Sequence, residues 1–143
     1  MTDVVRTASE AETSEVGARL AASLAPGSFV LLTGDLGAGK TAFVRGMAAG
    51  LGLDPDEISS PTFTLIQEYR PPAGSGGRAL SHVDLYRLEG AETDDLGLEE
   101  LGASGAVVAI EWAEKLRDAP AGAVGVEIAD LGGDAREIRI ARP

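Results

Sequence analysis

The sequence predicts an α/β fold, in which helices cover both faces of a mixed sheet with a parallel core and antiparallel hairpins. Two short runs are continuously apolar, SFVLLT at residues 28–33 and GAVVAI at residues 105–110, as in parallel strands buried on both faces. Helical segments flank the first run, and alternating segments later in the chain are joined by turn-rich stretches. With 143 residues the chain has the length of one domain, so we expect a single domain over residues 1–143.

The N-terminal third is predicted to hold two helices, one before and one after the first strand in the sequence. Residues 9–24 place apolar side chains four residues apart with acidic residues early, which favours an amphipathic helix. A Pro-Gly pair ends that helix, and the apolar strand 28–33 follows. Residues 41–51 have the apolar spacing of a buried helix.

Two antiparallel pairs are predicted further along the chain. Residues 62–69 alternate and are β-branched or aromatic in type, and the short, turn-rich PPAGSGG joins them to a second strand at residues 79–86. Residues 124–129 and 136–141 also alternate, and the turn LGGD lies between them. Together with the two apolar runs, these pairs predict a mixed sheet.

An acidic segment, the second apolar strand and a short helix lie between these pairs. Residues 89–100 hold six carboxylates in twelve residues, which fits either a solvated helical or loop face or an acidic docking surface. The apolar strand 105–110 follows, and residues 111–117 have helical composition.

The composition excludes several kinds of site and partner. The chain has no cysteine, which excludes disulfides, thiolate metal sites and a cysteine nucleophile. Its formal net charge of -11 argues against direct binding to a nucleic-acid backbone, because such binding needs clustered Lys and Arg. No signal peptide and no apolar run of membrane-spanning length is found, so we expect a soluble cytoplasmic protein without a membrane partner.

The stretch GDLGAGKT satisfies the phosphate-loop pattern G-x-x-x-x-G-K-[ST] through Gly34, Gly39, Lys40 and Thr41. It follows an apolar strand and begins a helix, a context that disfavours a mere glycine-rich turn with a surface lysine. Glycines let backbone N–H groups surround a phosphate, and the lysine binds the β and γ phosphates. The threonine hydroxyl is expected to bind Mg²⁺. The fold is therefore predicted to be P-loop NTPase-like.

A phosphate loop needs a further carboxylate at the end of a neighbouring strand, to hold the metal or to position the attacking water. Glu111 directly follows GAVVAI, and Asp84 follows the more polar run ALSHV. We interpret both as acids of the site. The alternatives are a helix N-terminal acid for Glu111 and a strand-end turn residue for Asp84.

Three further features lie close to these acids in the sequence. His82 is two residues from Asp84 and so points to the same side of a strand, as a structural imidazole or as part of the site. Trp112 is either a core residue or a reporter of nucleotide binding. Residues 60–62 form either a switch that senses the γ phosphate or a plain turn. The chain has no asparagine and so lacks an Asn-Lys-x-Asp motif for guanine, which favours adenine.

The blocks GDLGAGKT, SPTFTLIQEY, HVDLYRL and VVAIEWAEKL, in this order and spacing, closely resemble the TsaE (YjeE) family of small bacterial ATPases of tRNA threonylcarbamoyladenosine synthesis. The resemblance extends from residue 9 to the last strand. It implies a P-loop α/β fold that binds ATP and Mg²⁺. The resemblance implies a contact with the adenine by Glu10 or Thr13. The other nucleotide-binding residues that it implies are Leu36, Gly37, Ala38, Gly39, Lys40, Thr41, Thr62 and Trp112.

The resemblance also implies particular roles. Thr41 and Glu111 match the metal ligands, and Asp84 matches a second acid near the metal and the water. Lys40 completes the catalytic set with these two acids, and Thr62 belongs to a loop that approaches the γ phosphate. In the C-terminal DLGGDAREI the match is loosest, and we assign no nucleotide contact to Gly132 or Arg136 there.

In this family the ATPase does not transfer the threonylcarbamoyl group itself. It binds the transferase pair TsaB and TsaD, and its ATP hydrolysis resets that complex between turnovers. We therefore expect a Mg²⁺-dependent ATPase that is slow alone, is stimulated by its partners and meets tRNA only through them. A small-molecule P-loop kinase is the alternative, although no lid segment rich in Arg or Lys is apparent. A nucleotide sensor without turnover is disfavoured by Asp84 and Glu111.

Overall fold

The described part of the chain forms seven strands, three α-helices and two short 3₁₀ helices. The computed structural model describes residues 1–35, 37–58, 66–86, 97–116 and 118–143. The 3₁₀ helices are Pro55–Glu57 and Ala113–Lys115. In chain order, the other elements are β1 (Thr2–Thr7), α1 (Glu10–Ser23), β2 (Phe29–Thr33), α2 (Lys40–Gly50), β3 (Ile66–Tyr69), β4 (Leu80–Asp84), α3 (Leu98–Ala103), β5 (Val107–Glu111), β6 (Val124–Gly132) and β7 (Ala135–Ala141).

The strands form one mixed sheet in the order β1-β7-β6-β2-β5-β4-β3. The central strands β6, β2, β5 and β4 are parallel to one another. The β3–β4 and β6–β7 pairs are antiparallel, and β1 pairs antiparallel with β7 at the edge. The predicted parallel core with antiparallel hairpins is confirmed.

Helices cover both faces of this sheet, as predicted. On one face α1 and α2 pack together over the larger hydrophobic core, into which Val30 and Leu32 of β2 point. On the other face Leu98 and Leu101 of α3 pack on a smaller cluster that includes Ile110. The strand β2 therefore has both faces covered, although its residues on the α3 side are half-buried.

Local capping explains where α1 begins. The Ser9 hydroxyl accepts a hydrogen bond from the Glu12 N–H at 3.1 Å, and the Glu12 carboxylate accepts one from the Ala8 N–H at 2.8 Å. The first bond satisfies a backbone N–H that the first helical turn leaves unpaired, and the second ties the residue before the N-cap to the helix. The acidic residues at the start of the helix also face the positive end of its dipole.

Several predicted boundaries differ from the structure. The predicted helix 111–117 is wrong, because Glu111 still belongs to β5 and only one 3₁₀ turn follows. Trp112 has φ 60°, in the left-handed region, which prevents a regular helix from starting at the strand end. Strand β6 continues to Gly132, past a register shift, so the second hairpin turn is shorter than LGGD. The edge strand β1 was not predicted.

Two predicted segments lie partly outside the described residues. Of the strand at 62–69, the structure describes 66–69, which belong to β3. Of the acidic segment 89–100, it describes 97–100, where Glu99 and Glu100 are exposed in the first turn of α3. No helix in the described part of the chain is long and apolar enough to cross a membrane.

Candidate functional site

The glycine-rich loop connects the carboxyl end of β2 to the start of α2. Gly39 is the N-cap of α2 with φ 106°, and Gly34 has φ 147°. A Cβ on Gly34 would lie 2.6 Å from the Ile128 carbonyl oxygen, so the loop needs glycine there for space as well as for conformation. The predicted order of strand, loop and helix is confirmed.

Lys40 is the first residue of α2, and its side chain turns back over the loop. The residue is only 5% exposed. Its Nζ donates to the Gly34 carbonyl oxygen and lies 3.5 Å from the centroid of the Trp112 ring. Burial lowers the pKa of Lys40, because removal from water disfavours the ammonium form. The carboxylates that oppose this shift are those of Glu111, Glu114, Asp84 and Asp35.

The two predicted acids are the last residues of neighbouring parallel strands. Asp84 ends β4, Glu111 ends β5, and the two are paired in the register of the sheet. Since parallel strands end at one edge of a sheet, both acids lie at the edge where the loop also begins. Glu111 is 4% exposed and belongs to a strand, so its alternative role as a helix N-terminal acid is wrong.

Asp84 combines a turn contact with an unfavourable electrostatic position. Its Oδ1 accepts a hydrogen bond from the Tyr86 N–H at 2.9 Å, as the turn alternative expects. Burial raises the pKa of Asp84, and the neighbouring Glu111 raises it further. The Tyr86 hydrogen bond, His82 and Lys40 act in the opposite direction.

His82 is fully buried and contacts the carboxylate of Glu111. The distance from His82 Nε2 to Glu111 Oε2 is 2.5 Å, and the two side chains are 0% and 5% exposed. Nδ1 of the same ring is buried and has no hydrogen-bond partner among the described residues. The imidazole therefore holds one carboxylate oxygen and leaves Oε1 able to take another ligand.

The donor set suits a Mg²⁺ ion bound together with a nucleotide. Within the described ranges, no three His, Asp or Glu side chains form a group that could hold a metal ion by themselves. Mg²⁺ usually keeps several waters and takes one or two carboxylates plus substrate phosphates. The Thr41 hydroxyl at the start of α2 and the Glu111 carboxylate fit that requirement, with Asp84 beside them.

An aromatic pair borders the site next to Glu111. The ring of Trp112 lies against Lys40 on one side, and its centroid is 5.1 Å from that of Tyr86. Tyr86 is 45% exposed, and its carbonyl oxygen accepts a hydrogen bond from Lys115 Nζ at 2.5 Å. Trp112 is thus part of the site wall as well as of the smaller core cluster.

The other predicted nucleotide contacts lie in α1, in the glycine-rich loop or outside the described residues. The Glu10 carboxylate is exposed and lies 3.6 Å from the guanidinium of Arg45 on α2. Thr13, one turn later, is buried, and its Cγ2 would lie 3.7 Å from a Cβ on Gly39. Gly37 and Ala38 lie in the loop itself. Leu36 and Thr62 lie outside the described residues, and so does the whole predicted switch loop at 60–62.

Sequence reasoning did not find that Arg136 contacts the loop. Arg136 on β7 donates from Nε to the Ala38 carbonyl oxygen at 2.8 Å and from Nη2 to the Gly37 carbonyl oxygen at 3.2 Å. The loop and this arginine are almost a hundred residues apart, and no local motif links them. Only the sheet order, which places β6 between β2 and β7, brings the C-terminal hairpin close to the loop.

The fold and the loop define the chain as a P-loop NTPase-like α/β protein. The family model described as "Threonylcarbamoyl adenosine biosynthesis protein TsaE" matches residues 7–138. The chain belongs to this TsaE family, which confirms the resemblance found in its sequence motifs.

Relatives and a solved structure agree with this assignment. A protein of Bacillus subtilis named "tRNA threonylcarbamoyladenosine biosynthesis protein TsaE" is 41% identical over 134 residues, which cover 93% of this chain and 81% of that protein. A Treponema pallidum protein of the same name is 39% identical over 132 residues, covering 91% and 93%. The crystal structure of Bacillus subtilis YdiB superposes with a TM-score of 0.77 at 34% identity, covering 99% of this chain and 86% of that one.

Proposed function

We propose that this chain is a cytoplasmic, Mg²⁺-dependent ATPase required to form N6-threonylcarbamoyladenosine at position 37 of tRNA. On this proposal it acts on the TsaB–TsaD transferase complex and does not modify tRNA itself. The observation that carries the proposal is the meeting of Lys40, Asp84 and Glu111 at one edge of the sheet, beside the glycine-rich loop. A cation for phosphates and two acids for a metal and a water are the parts that phosphoryl transfer to water requires.

Binding of ATP would exchange the present contacts of Lys40 for phosphates. The ammonium group is buried against the Trp112 ring and bonded to the Gly34 carbonyl oxygen, and burial disfavours its charge. The anionic β and γ phosphates offer this desolvated cation a stronger partner. We therefore expect Lys40 to leave the Trp112 ring when the nucleotide binds.

The two acids are proposed to divide the chemistry between them. Mg²⁺, when bound, would neutralise developing charge on the phosphates, and Thr41 and Glu111 are the residues that would hold it. Asp84 accepts a hydrogen bond from the attacking water, whose oxygen bonds to the γ phosphorus as the bond to the bridging oxygen of ADP breaks. Its raised pKa makes Asp84 a better proton acceptor than an ordinary aspartate.

The partners are inferred from the family and supported by the charge of the chain. The relatives carry names that place them in tRNA threonylcarbamoyladenosine biosynthesis. With a net charge of -11, the chain has no excess of cations to neutralise a tRNA backbone. Contact with tRNA through the TsaB–TsaD complex agrees with both facts.

Nucleotide binding can be measured through Trp112, which is the only tryptophan of the chain. We expect ATP with Mg²⁺ to change its fluorescence, because the ammonium of Lys40 moves off the ring. The Lys40→Ala variant should show no nucleotide-dependent change, and GTP should bind wild type more weakly than ATP. Glu111→Ala should still bind ATP but should not hydrolyse it. A wild-type chain that shows neither a fluorescence change nor heat of binding with ATP would contradict the proposal.

A further inference from the structure

The side chain of Arg136 connects the C-terminal hairpin to the glycine-rich loop. From β7 its Nε donates to the Ala38 carbonyl oxygen at 2.8 Å, and its Nη2 donates to the Gly37 carbonyl oxygen at 3.2 Å. The side chain is only 14% exposed. A charged group that is largely withdrawn from water and bonded to loop carbonyls is held in a defined position.

The hairpin itself fixes the other side of the guanidinium. Nη1 donates to the Asp130 carboxylate at 3.1 Å, to the Gly133 carbonyl oxygen at 2.7 Å and to the Ala135 carbonyl oxygen at 2.8 Å. A guanidinium has five N–H groups. Together, the contacts with the hairpin and with the loop use the N–H of Nε, both N–H groups of Nη1 and one of the two on Nη2. The arginine therefore has little capacity left to bind an anion directly.

The bonds to the loop determine the direction of its peptide units. In a trans peptide the C=O and the following N–H point in opposite directions. Because Arg136 holds the Ala38 carbonyl, the N–H of Gly39 must point away from the arginine. The peptide between Gly37 and Ala38 is held at both ends, since its N–H also donates to the Asp35 carbonyl oxygen at 3.0 Å.

We propose that Arg136 is a positioning residue of the nucleotide site, which holds the loop carbonyls outward so that the Gly39 N–H faces the phosphates. This inference rests on the proposed function, because it assumes that a nucleotide binds at the loop. A phosphate loop works through backbone N–H groups that converge on the anion, and preorganising them lowers the cost of binding. The Arg136 guanidinium, which belongs to β7, would hold the backbone of the loop in this arrangement.

The experiment compares Arg136→Ala and Arg136→Lys with Arg139→Ala as the matched control. Arg139 lies on the same strand and is 54% exposed, and its contacts in the described part of the chain are with Glu137 at 3.4 Å. Amide hydrogen exchange at residues 37–39 is measured in nucleotide-free protein, ATP affinity by calorimetry, and overall folding by thermal denaturation. The exchange readout does not depend on activity.

We expect Arg136→Ala to speed exchange at residues 37–39 and to weaken ATP binding, each by about tenfold or more. Arg136→Lys should recover little of either, because one ammonium cannot bridge the hairpin and both loop carbonyls. Arg139→Ala should leave both quantities at wild-type values.

Two results would overturn the inference. One is weaker ATP binding with unchanged loop exchange and strong recovery by Arg136→Lys, which would make the arginine a direct phosphate ligand. The other is loop exchange that is equally fast in Arg139→Ala. If instead the wild-type chain binds no ATP, the proposed function fails, while exchange in the nucleotide-free protein still decides whether Arg136 orders the loop.

Discussion

His82 is a buried residue that contacts one of the proposed metal-binding acids. Its Nε2 lies 2.5 Å from Glu111 Oε2, and both groups are buried. A carboxylate that loses its buried partner keeps the cost of desolvation without the compensating bond. We expect His82→Leu to lower the free energy of unfolding by about 1–3 kcal/mol and to raise the Mg²⁺ concentration needed for half-maximal hydrolysis.

The matched variant is His82→Gln, whose amide nitrogen can donate from nearly the position of Nε2. Because Nδ1 of His82 has no partner among the described residues, glutamine loses no second contact there. Urea denaturation and Mg²⁺ titrations should place His82→Gln close to wild type. Equal losses in His82→Gln and His82→Leu would show that the volume of the ring, and not its hydrogen bond, is what matters.

Asp84 is a residue whose function should come at a cost to stability. Burial and Glu111 raise its pKa in the folded protein, so the ionised side chain destabilises the folded state relative to the unfolded one. This penalty is absent below the usual aspartate pKa of about 4, grows as pH rises and is complete above the raised pKa. Asn at this position keeps the oxygen that accepts the Tyr86 N–H.

We therefore expect Asp84→Asn to melt at a higher temperature than wild type at pH 8, in EDTA and without nucleotide. The difference should narrow as pH falls through the raised pKa of Asp84 towards the ordinary aspartate value of about 4. The same variant should lose ATP hydrolysis. Asp3→Asn, on the exposed edge strand, serves as the control and should not change with pH in this way. A stability gain for Asp84→Asn that is the same at every pH would show that the raised pKa of Asp84 is not its cause.

At the level of single residues, the acids Asp84 and Glu111 could be predicted from the sequence, but the residues that contact and position the site could not. Lys40 and Thr41 were visible in a local motif, and Asp84 and Glu111 were visible because each follows a strand-like run. The contacts of His82 and Arg136 depend on which strands are neighbours and in what register. Neither the strand order nor the register can be read from local spacing.

Among the elements, the α1–α2 pair is held by contact between the two helix backbones. Gly46 faces Ser14 so closely that a Cβ would lie 1.7 Å from the Ser14 carbonyl oxygen, and Gly17 meets Phe43 in the same way. Since α2 begins with the loop lysine, this contact also fixes the loop relative to α1.

We expect Gly46→Ala to lower the free energy of unfolding by about 1–3 kcal/mol, although alanine favours helices, because the helices must move apart. Gly125→Ala on β6 is the control, since its Cβ would meet only the Ala141 side chain, at 3.9 Å. Thermal or urea denaturation measures both. Wild-type stability of Gly46→Ala would contradict a backbone contact at this position.

The predictability of the elements followed from how each is buried. Strands β2 and β5 have both faces covered and read as continuous apolar runs, so they were predicted within a residue or two. Strand β1 lies at the edge and is mostly exposed, so TDVVRT carries no strong pattern. The helix at 111–117 failed because Trp112, at the site, takes a left-handed conformation that composition does not reveal.

For the whole molecule, the order of the strands explains why the site forms where it does. The parallel strands β6, β2, β5 and β4 end at one edge, which gathers the loop, Asp84 and Glu111 from separate parts of the chain. The β6–β7 hairpin brings Arg136 to the other side of the loop. The net charge of -11 agrees with the proposal that the molecule reaches tRNA through protein partners.

We propose that this site hydrolyses ATP when the protein acts on the TsaB–TsaD transferase complex. The most direct test is steady-state ATP hydrolysis by the purified chain, alone and with the cognate TsaB–TsaD pair, with Lys40→Ala as the blank. We expect slow hydrolysis by the chain alone and stimulation by the pair of about tenfold or more, as when a partner completes a phosphoryl-transfer site. Fast hydrolysis that the TsaB–TsaD pair does not change would contradict the proposed function. It would favour a kinase with an acceptor substrate of its own.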